Sequence, residues 1–241
     1  MGFNCLVSYK YGFLLFWNPK CGCTTLKYIF AKLHNIKINL DDCDELHHYF
    51  NCKKCPFRLL KADYIKEPTK YNLFKKIIVV RNPYDRIYSF YKNKLVQNDN
   101  NYKTFLDKNK KINASNMSIN EFIKSLMDIK VNDLEYHLVP QSYDLEKIEF
   151  DKIIYLENLF SLYKYFQSLN IPVSGNWFIK INSFSQNTLE LKNKNPNELS
   201  VYLWRLKINF PKIENIFNQE HYSIINHIYQ ADFTKFNFQT K

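Results

Sequence analysis

Two short apolar runs, each broken at an Asn-Pro pair and each followed by a helix-spaced pattern, constrain this chain more than any other feature. Phe13 to Trp17 reads FLLFW, and Lys75 to Val80 reads KKIIVV. Runs this short do not persist as helices; the unbroken apolar character of the first suits a buried strand, and the second is dense in β-branched residues. After the first run, the segment from Thr24 places Leu26, Ile29, Phe30 and Leu33 on one helical face. After the second, Asn82 is a good N-cap, Pro83 suits the first helical position and Asp85 adds negative charge to the first turn. The spacing predicts a helix through about Leu95. A third strand is expected over Lys152 to Asn158, KIIYLEN, followed by the helical pattern LFSLYKYFQSL. Strand and helix therefore alternate, which favours an α/β fold with a parallel sheet flanked by helices over a helical bundle.

The remaining segments are less constrained. Residues 97–117 are polar, with QNDNN and KNKK, and read as an exposed loop or insertion. Ser118 with Glu121 forms a capping-box pattern ahead of a helix reaching about Met127. Late helices are expected over Leu199 to Ile208 and from about Glu220 to Gln230. No internal repeat is present. A length of 241 residues with 46% apolar content is ample for a core, so residues 1–241 are expected to form one domain.

The formal net charge of +11 predicts a positive surface that attracts polyanions without choosing among them. Nearly all of it is lysine, because the only arginines are Arg58, Arg81, Arg86 and Arg205. All six cysteines lie between Cys5 and Cys55, which argues for reduced thiols rather than a disulfide framework. The first residues carry no charged leader with a cleavable apolar segment, and no apolar run has the length to span a bilayer. A soluble, cytoplasmic protein is the expectation.

Between the first strand and its helix lies PKCGCTT, Pro19 to Thr25, which holds one of only four glycines in the chain. A loop in that position aims backbone N–H groups and the positive end of a helix dipole at whatever sits above it. Gly22 permits close backbone approach, Thr24 and Thr25 offer hydroxyls, and Lys20 supplies a compact, movable positive charge. The nucleoside-triphosphatase loop reads G-x-x-x-x-G-K-[ST], whereas here the lysine precedes the glycine. The second strand runs into Arg81 rather than into an acid that would hold magnesium.

PKCGCTTLKYIF followed by VVRNPYDRIYSFYKNKL resembles the two cofactor signatures of sulfotransferases that use 3′-phosphoadenosine-5′-phosphosulfate (PAPS), in particular the membrane-type carbohydrate sulfotransferase family and its soluble microbial and viral relatives. HLVPQ at His137 to Gln141, FDKIIYLENL at Phe150 to Leu159 and the terminal HIYQADFTKFNF resemble later parts of the same family. The resemblance implies a P-loop-like central parallel sheet flanked by helices, the sulfotransferase fold. It implies PAPS as donor, no required metal, no nucleic-acid partner and an acceptor hydroxyl, with a glycan favoured. It also implies that Lys20, Cys21, Gly22, Cys23, Thr24 and Thr25 surround the 5′-phosphosulfate, and that Arg81 and Ser89 grip the 3′-phosphate. The family often has Trp where this chain has Leu26, so adenine stacking is expected to be weaker or supplied by another aromatic.

In sulfuryl transfer, positioning and charge stabilisation are expected to dominate. Lys20 is expected to neutralise charge on the bridging oxygen, and a histidine is the commonest base for the acceptor proton. In relatives the base falls between the two cofactor motifs, where His34, His47 and His48 stand. The stretch DDCDELHHYF makes His48 the first choice and His47 the second, with Glu45 as a carboxylate substitute and His137 as an outside candidate. A rival reading of HHYFNCKKC takes Cys52 and Cys55, with Cys43 and His47 or His48, as zinc ligands. Cys21 and Cys23, at a helix N-terminus beside Lys20, are candidates for oxidation. Two other functions stay open on sequence: a nucleotide or sugar kinase with an atypical phosphate loop, and a basic nucleic-acid-binding module.

Overall fold

The structure is a computed structural model that describes residues 3–39, 42–52, 54–96, 117–178 and 210–241. In chain order its main elements are β1 (Asn4–Ser8), β2 (Phe13–Trp17), α1 (Cys23–Leu33), α2 (Cys43–Asn51), α3 (Lys61–Lys66), β3 (Lys75–Val80), α4 (Pro83–Phe90), α5 (Ile119–Ser125), β4 (Lys152–Tyr155), α6 (Phe160–Ser168), α7 (Gln219–Ile228) and α8 (Gln230–Lys235). They divide between two compact units, Met1–Arg81 with Asp144–Ser183 and Asn82–Tyr143 with Phe184–Lys241.

The first unit holds the whole sheet, in the order β1-β2-β3-β4. Strand β2 pairs in parallel with β3, aligning Phe13 with Lys75 and Trp17 with Val79, and β3 pairs in parallel with β4, aligning Val80 with Tyr155. The α/β reading with a mostly parallel sheet is borne out. The short strand β1 adds an antiparallel edge that its mixed sequence, NCLVS, did not announce. All five residues of β2 are buried, as a strand covered on both faces requires. Leu15, Ile77, Val79 and Ile154 from the sheet pack with Leu26, Ile29 and Phe30 of α1, Leu46 and Phe50 of α2, and Leu162 and Phe166 of α6. The expected third strand stops at Tyr155, three residues early, and Leu156–Asn158 form a 3-10 turn.

The second unit is helical among its described residues. Asn82 caps α4 as expected, accepting from Tyr84 N at 3.0 Å, with Pro83 at the first position. The helix closes at Phe90 and Tyr91–Val96 continues as a π-helical turn, so the predicted extent to about Leu95 holds with a change of pitch. Ser118 and Glu121 form the expected capping box of α5. The last predicted helix is divided at Tyr229 into α7 and α8. Tyr229 is fully buried, and its hydroxyl donates to Leu138 O at 2.6 Å.

Two buried charges fasten the HLVPQS segment in this unit. Arg86, 1% exposed, donates from Nη2 to His137 O (2.8 Å) and Val139 O (2.9 Å). Asp232, 0% exposed, accepts from Gln141 N (2.8 Å), Ser142 N (2.7 Å) and Ser142 Oγ (2.7 Å). A buried carboxylate met by several N–H and O–H donors has its desolvation offset, so this pair serves as a clamp on an irregular loop. The polar stretch near 97–116 and the helix expected over Leu199 to Ile208 lie outside the described residues. All six cysteines are free thiols. Among the described residues no helix is long and apolar enough to cross a membrane.

Candidate active site at the strand ends

Within the first unit, three parallel neighbours, β2, β3 and β4, end on the same edge, and each is followed within a few residues by a charged side chain. Lys20 follows β2, Arg81 follows β3 and Glu157 follows β4. Open α/β sheets bind ligands in the crevice beyond these carboxyl ends. Arg81 Nη1 donates to the carbonyl of Lys20 at 3.2 Å, and Arg81 Nε lies 3.9 Å from Glu157 Oε1. The guanidinium thus stands against the backbone of the lysine loop, from which the sequence separates it by about sixty residues.

The loop curls because two of its residues adopt left-handed backbone angles, Lys20 with φ 66° and Gly22 with φ 77°. Cys21 N–H closes the turn on Asn18 O at 3.1 Å. A lysine in that region is uncommon and costs about 1–2 kcal/mol, a strain that persists where the surroundings demand it. Gly22 is the N-cap of α1 and supplies no side-chain cap. The first-turn N–H groups have no intrahelical acceptor and carry the positive end of the dipole, which makes this helix start a seat for an anion.

The structure adds two constraints on Gly22 to the one its sequence context suggests. A Cβ built on it would stand 2.6 Å from Leu156 Cδ1, below any real contact, besides facing the positive φ. The Leu156 side chain, from the turn that follows β4, thus packs directly against Gly22. Gly22→Ala is expected to destabilise the protein by roughly 1–2 kcal/mol through backbone strain at φ 77°, since the end of the Leu156 side chain can shift. The denaturant midpoint, with the slope unchanged, measures it.

Helix α2, which the sequence reading left unassigned, reaches the same loop. Asp42 caps it by accepting from Asp44 N (2.8 Å) and Glu45 N (3.0 Å), and Leu46 and Phe50 fasten its inner face. This orientation brings His47 Nε2 within 2.9 Å of Thr24 Oγ1, while His47 Nδ1 lies 2.9 Å from Lys27 Nζ. Lys27 is 2% exposed and donates also to Asn51 Oδ1 at 2.9 Å. Burial pushes the His47 pKa down to about 4; Lys27 and Lys20 add to the effect and Asp44 opposes it. Burial likewise lowers Lys27 to about 8, with Arg58 lowering it further and Cys23 and Cys55 raising it.

The other candidates are distributed as follows. His48 is exposed on the outer side of α2. Glu45 is exposed in its first turn. His34 stacks on Phe30 with ring centroids 4.4 Å apart, its pKa lowered to about 4, first by burial and then by Lys10. His137 belongs to the second unit and pairs through Nδ1 with Glu135 Oε1 at 2.7 Å. Ser89 is also in the second unit, half-buried near the end of α4. Cys21 and Thr25 are buried in the loop and Cys23 is half-buried, so oxidation reaches Cys23 more readily than Cys21. Leu26 is 0% exposed in the core. Among the described residues no three His, Cys, Asp or Glu side chains gather as metal ligands, and Cys43, Cys52 and Cys55 are no exception.

Lys27 and Glu157 are the two site residues that sequence reasoning missed. A signal existed for Lys27: it stands three residues after Thr24 and four after Cys23, which places it on the helical stripe that starts in the loop. Compared with known families, residues 4–239 match the one described as "Sulfotransferase family". No curated protein and no solved structure matches this chain.

Proposed function

Because this chain belongs to the sulfotransferase family, we propose that it transfers a sulfuryl group from PAPS to a hydroxyl, and that the strand-end site of the first unit holds the donor. The carrying observation is the contact between Arg81 Nη1 and Lys20 O at 3.2 Å, which sets a guanidinium beside an anion-seating helix start. Such a donor set fits a molecule phosphorylated at both ends of an adenosine. The first-turn N–H groups with Lys20 and Thr24 suit the 5′-phosphosulfate, and Arg81 suits the 3′-phosphate through paired charge-assisted bonds. When bound, PAPS supplies the activated sulfuryl group and a phosphate leaving group.

The chain's own groups then have separable tasks. Lys20 places a positive charge where negative charge grows on the bridging oxygen, a form of stabilisation that is strongest in a preorganised site. His47 takes the acceptor proton at Nε2, the nitrogen directed at Thr24 in the loop. It is favoured over His48 because His48 faces outward. The net charge of +11 supports an acceptor that is itself acidic, and a hydroxyl on an anionic carbohydrate is the substrate class we infer.

Calorimetry with 3′-phosphoadenosine-5′-phosphate tests the reading. Arg81→Ala is expected to weaken binding about 10- to 100-fold, the loss of charge-assisted bonds worth roughly 1.5–3 kcal/mol. Adenosine-5′-phosphosulfate, which lacks the 3′-phosphate, is expected to bind wild type and variant alike. Equal losses for both ligands would remove Arg81 from the 3′-phosphate.

A further inference from the structure

We propose that Lys27 is a positioning residue that governs which nitrogen of His47 carries the proton, and that it receives through the imidazole the proton lost by the acceptor hydroxyl. This rests on reading His47 as the base.

The geometry fixes the proton count. Lys27 Nζ lies 2.9 Å from His47 Nδ1 and 2.9 Å from Asn51 Oδ1, while His47 Nε2 lies 2.9 Å from Thr24 Oγ1. An ammonium has three donors and no lone pair, so a charged Lys27 must donate to Nδ1. The neutral ring then carries its hydrogen on Nε2 and donates to Thr24. In that state Nε2 has no lone pair for an incoming proton. A neutral Lys27 reverses the arrangement: the amine accepts from Nδ1–H, Asn51 still receives an N–H, and Nε2 presents its lone pair at the loop. One proton separates the inactive arrangement from the active one.

Lys27 can make that change near neutrality because its surroundings disfavour the charge. It is 2% exposed and burial brings it down to about 8. The titratable and charged groups around the pair are Cys23 on the same helix, Asp44 on α2, Cys55 and Arg58 beyond α2, and Lys20 in the loop. His47 itself, lowered to about 4, is neutral throughout this range.

The transfer step balances as follows. The acceptor O–H breaks and its proton bonds to Nε2, while the Nδ1 proton passes to the Lys27 amine, which becomes an ammonium. The acceptor oxygen's electron pair forms the new O–S bond as the S–O bond to phosphate breaks, and that bonding pair leaves on the phosphate. Loss of the Nε2 proton to solvent, with return of a proton from Lys27 to Nδ1, restores the starting state.

The test is nitrogen NMR of the full chain labelled at histidine, titrated across a range that brackets pH 8, beside kcat/KM over the same range. Wild type is expected to pass from the Nε2–H to the Nδ1–H tautomer at His47 as pH rises, with kcat/KM rising on the same limb. Lys27→Arg, which stays charged, is expected to hold Nε2–H throughout and to lose about 10²-fold or more in kcat/KM without a limb. Lys27→Gln, whose carbonyl accepts from Nδ1, is expected to keep Nδ1–H and to abolish the limb while retaining more activity than Lys27→Arg. A His47 tautomer that ignores both pH and Lys27→Arg overturns the proposal and leaves His47 as base. Undiminished turnover in His47→Asn overturns the base assignment and the proposal with it. Should both Lys27 variants fail to fold, the wild-type titration decides alone.

Discussion

Lys20→Ala is expected to lower kcat by about 10²–10³, the usual loss when a preorganised charge opposite a developing anion is removed. Affinity for 3′-phosphoadenosine-5′-phosphate is expected to fall much less, because the first-turn N–H groups and Arg81 remain. Single-turnover kinetics separate the two effects. The backbone adds an independent check. Lys20 has φ 66°, a region that alanine tolerates no better than lysine and glycine enters freely. Lys20→Gly should therefore be as inactive as Lys20→Ala yet more stable by roughly 1 kcal/mol, since it releases the strain. If Lys20→Gly proved less stable than Lys20→Ala, the strain would have been misassigned.

His47→Asn is expected to reduce kcat by about 10²–10⁴, the range for loss of a positioned general base, while His48→Asn stays within about twofold of wild type. The contrast follows from helix α2 alone. With about 100° per residue, His48 projects roughly 180° from the midpoint of the buried pair Leu46 and Phe50, and His47 only about 80° from it. His47 therefore rides the shoulder of the helix that meets α1, where Thr24 and Lys27 hold both ring nitrogens. The reverse outcome, with His48 essential and His47 dispensable, would place the acceptor on the exposed side of α2. Steady-state rates with a fixed donor concentration are sufficient to tell.

Much of the site was legible because it is local. PKCGCTT sits between a strand and a helix that its flanks announce, and Arg81-Asn82-Pro83 ends a β-branched run with its own cap and breaker. Wherever a residue's role depends on a partner far along the chain, the sequence was silent or misleading. On sequence His48 stands ahead of His47, because adjacent histidines differ only in the helix face they take, and that face is fixed by packing. The signals of helix α2 were present in Asp42, Asp44, Glu45, Leu46 and Phe50, yet two histidines and a nearby Cys-x-x-Cys drew the reading toward ligands. Gly22 reads on sequence as room for a ligand, and the structure adds a contact the sequence does not show, Leu156 packed where a Cβ would stand. Arg81 and Arg86 stand five residues apart with the same side chain, but one faces the lysine loop and the other is spent holding the carbonyls of His137 and Val139.

By itself, then, the sequence determined the strand–loop–helix units, their caps, the candidate anion loop and the family to which these belong, because propensity, capping and periodicity act over a few residues. Only the tertiary structure decided which histidine meets Thr24, that Leu156 packs against Gly22, and that a lysine on α1 is buried against an imidazole from α2. Those are encounters between groups that the chain separates by twenty residues or more, and their energies arise from burial and hydrogen-bond geometry that exist only once the sheet and its helices have packed.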